Sequence, residues 1–430
     1  MLDIAASLLV LTALIAYANQ RWLKLPMTIG VMATSLALSL ALVALDALGL
    51  TGALHAREAG LIRSIDFSEL LMQGMLSLLL FAGALHVDVG ALREYRWQVA
   101  VLAFAGTAAS TLLVGTGLWL AIGAIGLPVP LIECLLFGAL ISPTDPISVI
   151  GMLKSGGAPR NLEVVIAGES LFNDGVGVVL FTLLLGMAVD GGVPSVGHAT
   201  ALLLREAGGG LVFGWLLGHA THALLRTMNH YQVEVLLTLA AVVGGYALAN
   251  HLHVSGPLAM VVAGLVVGGR RRASQPSGES AHHLELFWEL LDEVLNAVLF
   301  VLVGMEVITL RFPLHAGAAL VAGAAAIAIT LAARWLTVGL PVALAPRAFR
   351  LPAGAAAVLT WGGLRGGISI AMALAIPPGP WRETLIALTY GVVAFAILVQ
   401  GLTFGRLVRA TLRQRRLDTT SPTRPGRSAR

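Results

Sequence analysis

Apolar residues in this chain come in runs of about twenty, separated by short polar intervals, rather than in the short periods of soluble helices and strands. A membrane-crossing helix needs about 20 mainly apolar residues. Thirteen segments answer to that description: 2–19, 27–47, 68–87, 98–122, 130–153, 161–188, 206–225, 232–252, 255–269, 286–309, 315–343, 353–376 and 382–409. The ninth is short and leans on the HVSGP break before it. The first ends in Tyr17, Asn19 and Gln20 with no convincing small-residue cleavage site after it, so it reads as a span rather than a leader. The pattern therefore predicts an all-α polytopic membrane domain over 1–410. A basic tail, 411–430, has the composition of disordered chain.

Composition sharpens this reading. Charged residues make up 12% of the 430 positions and hydrophobic ones 57%, against about 25% charged in soluble domains. Lipid is the expected solvent, and no nucleic-acid partner is expected. The single Cys134 excludes a disulfide framework. The net charge of +4 gains meaning from its placement. One set of alternating loops carries Arg21, Lys24, Arg93, Arg96, Lys154, Arg160, Arg226, Arg270, Arg271, Arg272, Arg347, Arg350 and the tail from Arg406. The opposite set carries Arg57, Arg63, Arg205, Arg311 and Arg382. Because Lys and Arg favour the cytoplasmic side, the N-terminus is expected outside and the C-terminus inside a cell (inner) membrane.

Three spans are polar where they should not be. The fifth contains LISPTDPISVI, with Pro143 and Pro146 flanking Thr144 and Asp145. Two prolines three residues apart unwind a helix and free its carbonyls, which lipid tolerates only inside protein or beside water. The twelfth contains WGGLRGGISIAMALA, four glycines around Arg365. It lies an odd number of crossings after the fifth. The pair therefore predicts inverted repeats whose discontinuous helices meet at a midplane site. The sixth contains AGESLFNDGVGVVLF. There Glu169 shares a helix face with Asn173, and Ser170 with Asp174. A charge at mid-membrane costs about 2.5–3.5 kcal/mol, so each carboxylate needs a partner or a task. Only Arg365 and Arg334 are available within the spans. Charge counting assigns Glu169 to Arg365 and leaves Asp174 without a fixed cation, to hold a proton or a bound metal ion in competition. Carboxylate, hydroxyl and carbonyl oxygens suit a hard cation. Arg334 is assigned either an acid of the tenth span or helix-end carbonyls.

These same stretches, SPTDPISVIGMLK, GESLFNDGVGVVLF, HVSGPLA, LNAVLFVLVGME and WGGLRGGISIAMALA, resemble the signatures of NhaP-type sodium/proton antiporters, within the monovalent cation/proton antiporter family. The resemblance runs from RWLKLP to AFAILVQGLTFGRL. It implies a homodimer with elevator-like motion, spans 4–6 and 11–13 moving against a scaffold of 1–3 and 8–10, with broken spans 5 and 12 crossing at the site. Asp174 would bind cation and proton alternately. Ser170, Asp145 and the Thr144 backbone resemble the remaining site-forming groups. Asn173, where electrogenic relatives carry a first Asp, resembles the electroneutral branch and implies one H⁺ per Na⁺. Glu169 and Arg365 resemble that branch's ion pair. No cofactor is implied beyond the transported ions, Na⁺ or Li⁺ and H⁺.

Other polar positions read as less specific. His219, His222 and His230 end the seventh span, and His282 and His283 precede LELFWELLDEVLNA. That segment's acids (Glu285, Glu289, Asp292, Glu293), with Asn296, read as first turns protruding into water beside Arg270–Arg272. Competing functions are K⁺/H⁺ exchange, a passive cation channel and membrane hydrolysis. Asp145 and Asp174 lack the Tyr-Asp and Gly-x-Gly-Asp contexts of intramembrane aspartyl proteases, and Ser255 lacks a Gly-x-Ser-Gly context. A transporter, not an enzyme, is expected.

Overall fold

Proline and glycine positions decide where the apolar runs become separate helices. The computed structural model describes residues 2–47, 74–190, 196–228, 230–274, 279–306 and 316–420, and every regular element among them is helical. Arg57, Arg63, Asp66, Arg311 and the chain beyond Thr420 lie outside the described residues.

The first helix, α1 (Leu2–Ala18, continued by a wide turn at Asn19–Leu23), meets α2 (Met27–Ala47) at a bend of 109°. Next come α3 (Leu76–His86), the short α4 (Val89–Glu94) and α5 (Arg96–Ala124). Asp88 caps α4, its Oδ1 accepting from Ala91 N at 3.1 Å. The fifth apolar run is two helices, α6 (Leu131–Ile141) and α7 (Ile147–Gly156), with the Pro143–Pro146 stretch non-helical between them. It is followed by α8 (Arg160–Asp190), α9 (196–225), α10 (Tyr231–His251), α11 (Gly256–Ser274) and α12 (Glu279–Glu306). After α13 (316–344), the twelfth run is also two helices, α14 (Ala355–Trp361) and α15 (Gly367–Leu374). The last helix, α16 (382–420), continues through the first ten residues of the segment expected to be disordered. Six of these helices are by themselves long and apolar enough to cross a membrane. That makes the chain a multi-pass membrane protein.

Packing sorts the helices into two groups. Helix α11 packs on α3 and α9, and α12 on α2, α1 and α3. In the other group α5 packs on α6 and α13, α8 on α6, and α16 on α13 and α15. Contacts of α8 with α11 and of α12 with α15 join the two. At the base of the first group, Arg271 reaches Glu234 at 2.5 Å, and Arg272 donates to the Leu85 and Val87 carbonyls that end α3.

The two breaks lie against each other, and they are where the fold serves the site. Asp145 N donates to Leu364 O at 2.8 Å, so backbone freed in one break is satisfied by the other. Gly366 permits this approach, and Gly177 lets α8 lie against the first break. A Cβ on Gly366 would lie 2.8 Å from Asp145 Cβ, and one on Gly177 of α8 would lie 2.3 Å from Pro143 Cγ.

Candidate ion-binding site

Four successive polar residues of α8 face the first break, and their bonds follow from helical spacing. Glu169 and Asn173 are one turn apart, and Asn173 Nδ2 donates to Glu169 Oε1 at 2.8 Å. The same amide donates to Thr144 Oγ1 at 2.8 Å, while its Oδ1 accepts from Thr144 N at 3.3 Å. Thr144 Oγ1 and Ser170 Oγ are hydrogen-bonded at 2.9 Å, either hydroxyl able to donate. Asn173 thus closes a loop between α8 and the unwound stretch. It satisfies a backbone N–H that the missing helical turn leaves open.

Glu169 finds its cation in α13. Arg334 grips it bidentately, Nη1 to Oε1 at 2.7 Å and Nη2 to Oε2 at 2.9 Å, with both side chains buried. Arg334 also donates to Leu359 O at 3.3 Å, a carbonyl near the end of α14. The assignment of Glu169 to Arg365 is therefore corrected: its partner is Arg334, which takes a helix-end carbonyl as well. Arg365 instead donates through Nη1 to the carbonyls of Ser142 and Pro143, the latter at 2.8 Å. Proline-freed carbonyls attract a guanidinium as a carboxylate would, and charge counting alone gave them no weight.

Asp174, one turn beyond Ser170, is 6% exposed and opens onto a cavity beside both breaks. Among the described residues no group donates a hydrogen bond to its carboxylate. Asp145, Glu169 and Arg365 lie within electrostatic reach of it. Of the residues expected to form the site, Thr144, Asp145 and Asp174 line this cavity, and Ser170 and Asn173 hold Thr144 from behind. Glu169 lies deeper in the network, in its ion pair. The oxygens are those of hydroxyl, carboxylate and backbone carbonyl groups, a set that fits a hard cation. Among the described residues no group of three acidic or His/Cys side chains is close enough to hold a resident metal ion.

Two residues were missed. Asp292 and Asn296 of α12 line the same cavity as Asp174. Asn296 Nδ2 donates to Asp292 O at 2.8 Å and to its Oδ1 at 3.1 Å. The sequence places the acid-rich start of this span in water-exposed turns. The signal available was their four-residue spacing, which puts a carboxylate and an amide on one helix face. The neighbouring acids fit the earlier reading better, Glu285 lying 3.5 Å from Arg272 with both partly exposed. His283 stacks on Tyr231, and His219 hydrogen-bonds Trp215 O at 2.8 Å, so both histidines sit in local contacts.

Two broken helices with paired polar interruptions, a buried ion pair and an unsatisfied carboxylate agree with the comparisons. The family described as sodium/hydrogen exchanger, transmembrane, matches residues 10–410. The chain belongs to the sodium/hydrogen exchanger family. It is 50% identical over 415 residues to the Na⁺/H⁺ antiporter NhaP of Pseudomonas aeruginosa, covering 95% of this chain and 96% of that one. It is 33% identical over 356 residues to the Na⁺/H⁺ antiporter NhaH of Halobacillus dabanensis, covering 82% and 85%. Its fold resembles that of the sodium proton antiporter MjNhaP1 from Methanocaldococcus jannaschii, with a TM-score of 0.74 at 18% identity over 96% of this exchanger and 99% of that one.

Proposed function

We propose that this exchanger trades Na⁺ or Li⁺ for H⁺, one for one, with Asp174 carrying the cation and the proton by turns. The observation that supports it is the contrast between the two carboxylates of α8. Glu169 is neutralised by Arg334 and is spent on structure. Asp174 makes no such ion pair, the Arg365 guanidinium lying only within electrostatic reach, and it faces the cavity. A carboxylate in that position is stable only when loaded, with H⁺ or with a metal ion. Moving it empty across the barrier would expose a bare charge to low dielectric. Exchange follows from mutual exclusion, because either occupant removes the charge that attracts the other. With Asn173 neutral, one Asp174 charge is balanced in each direction, which makes the cycle electroneutral.

In this cycle the helices around the breaks (α5–α8 and α13–α16) carry the site. The group containing α1–α3 and α10–α12 stays fixed and pairs with a second copy of the chain in the lipid. The N-terminus lies outside and the C-terminus in the cytoplasm, as the Lys and Arg distribution favours.

Transport by purified protein tests the reading. Proteoliposomes with an acid interior receive Na⁺, Li⁺ or K⁺ outside, with and without a clamped membrane potential. Cation-driven alkalinisation that ignores voltage and vanishes in Asp174→Asn is expected. Voltage-dependent exchange would contradict the one-for-one ratio. Response to K⁺ alone would replace the ion, and cation flux without proton movement would make the protein a channel.

A further inference from the structure

A hydroxyl inside a helix ordinarily donates back to the carbonyl one turn earlier. This chain does so repeatedly, as in Thr12 to Leu8, Thr111 to Thr107 and Thr389 to Leu385. Ser369 does not. It is 0% exposed, and its Oγ has no hydrogen-bond partner. The cause is its place in the broken span. Ser369 is the third residue of α15, so the residue four back is Arg365, inside the non-helical stretch. No regular turn stands there to accept the hydroxyl proton. A fully buried hydroxyl left unbonded is costly, and the fold keeps this one at the wall of the cavity that holds Asp145 and Asp174.

A second observation points to the same place. Gly366, the residue before α15, lies against Asp145, where an added Cβ would come within 2.8 Å of its Cβ. The oxygens supplied by α8 and the first break are also partly committed. Ser170 and Thr144 bond each other, and Asn173 donates to Thr144. A dehydrated cation beside Asp174 would draw little from them on the α15 side. Ser369 Oγ is an uncommitted neutral oxygen on that side, supplied by the other half of the repeat.

We infer that Ser369 Oγ is a ligand of the transported cation and sets the preference among alkali ions. This rests on the antiport reading above and adds to it a residue and a role in selectivity. A hydroxyl oxygen suits an ion bound at short oxygen distances, so its loss falls hardest on Li⁺ and Na⁺ and least on K⁺.

The test compares wild type, Ser369→Ala, Ser369→Thr and Asp174→Asn in proteoliposomes, reading the half-saturating concentration of each ion, with melting temperatures in parallel. Ser369→Ala is expected to raise the half-saturating Na⁺ and Li⁺ concentrations on the order of tenfold, with the hydroxyl of Ser369→Thr restoring most of the affinity. Its melting temperature should equal or exceed that of wild type, because an unpartnered hydroxyl has been removed. Unchanged concentration dependence for all three ions in Ser369→Ala would overturn the inference while the wild type still exchanges. A lowered melting temperature would also overturn it, by assigning the hydroxyl a structural bond. Absence of cation-driven proton movement in folded wild type would instead remove the antiport reading itself, and the role of Ser369 with it.

Discussion

Glu169 and Asp174 are five residues apart on one helix and differ in what answers their charge. Breaking the Glu169–Arg334 pair leaves a buried guanidinium uncompensated, which costs about 3–5 kcal/mol. Glu169→Gln should therefore lower the melting temperature markedly, while Asp174→Asn should hold or raise it and still abolish exchange. Equal melting curves for the two variants would remove the distinction. Asn173→Asp removes the donor to both Glu169 Oε1 and Thr144 Oγ1 and sets a second carboxylate against the first. A fall in thermal stability is expected; an unchanged melting temperature and unchanged transport would deny that side chain any special part. Much of this was legible in the sequence, because a carboxylate in the middle of an apolar run announces itself. The partner of Glu169 was not legible, since two arginines were available and counting charges carries no distances. Ser369 gave no signal either. A serine in an apolar helix looks satisfied until the turn before it is found to be missing.

At the scale of the element, the breaks of the fifth and twelfth apolar runs were readable from Pro143, Pro146 and the glycines around Arg365. What the sequence could not give is that the freed carbonyls of one break are capped by the arginine of the other. The contact of α8 with the first break depends on Gly177, where an added Cβ would lie 2.3 Å from Pro143 Cγ. Gly177→Ala should cost about 1–3 kcal/mol through overpacking and impair transport. Gly186→Ala in the same helix, with nothing within 4 Å of the added carbon, should be neutral or stabilising by up to about 1 kcal/mol. Similar losses at both positions would refute the packing argument. The loop before α4 carries an acid-sensitive feature outside the membrane. The Ala91 N–H bond, chiefly, holds the Asp88 carboxyl below its ordinary range; partial burial opposes it, and the charge of Arg160 and the Gly90 N–H add to the lowering. The unfolded chain thus binds this proton first as pH falls. The stabilisation is complete above about pH 4 and is lost as pH drops through the folded value. Melting temperatures between about pH 2 and 5 should therefore fall less steeply toward acid in Asp88→Asn; parallel curves would discount the cap.

For the whole molecule, the alternation of Lys and Arg between loop sets predicts which ends face the cytoplasm, and thiol labelling reads this directly. Cys134 is fully buried and supplies a silent background. A cysteine at Arg205 should react with an impermeant maleimide added to intact cells, and one at Lys154 only after permeabilisation; the reverse pattern would invert the orientation. Whether cation and proton exclude each other at one carboxylate is read from binding. Equilibrium binding of radiolabelled Na⁺ to the purified exchanger would be measured over a series of pH values, with Asp174→Asn as control. A constant number of sites is expected, with an apparent Kd that rises about tenfold per pH unit on the acid side of the titration and no binding in the control. Saturable Na⁺ binding whose Kd ignores pH, or that survives Asp174→Asn, would contradict it.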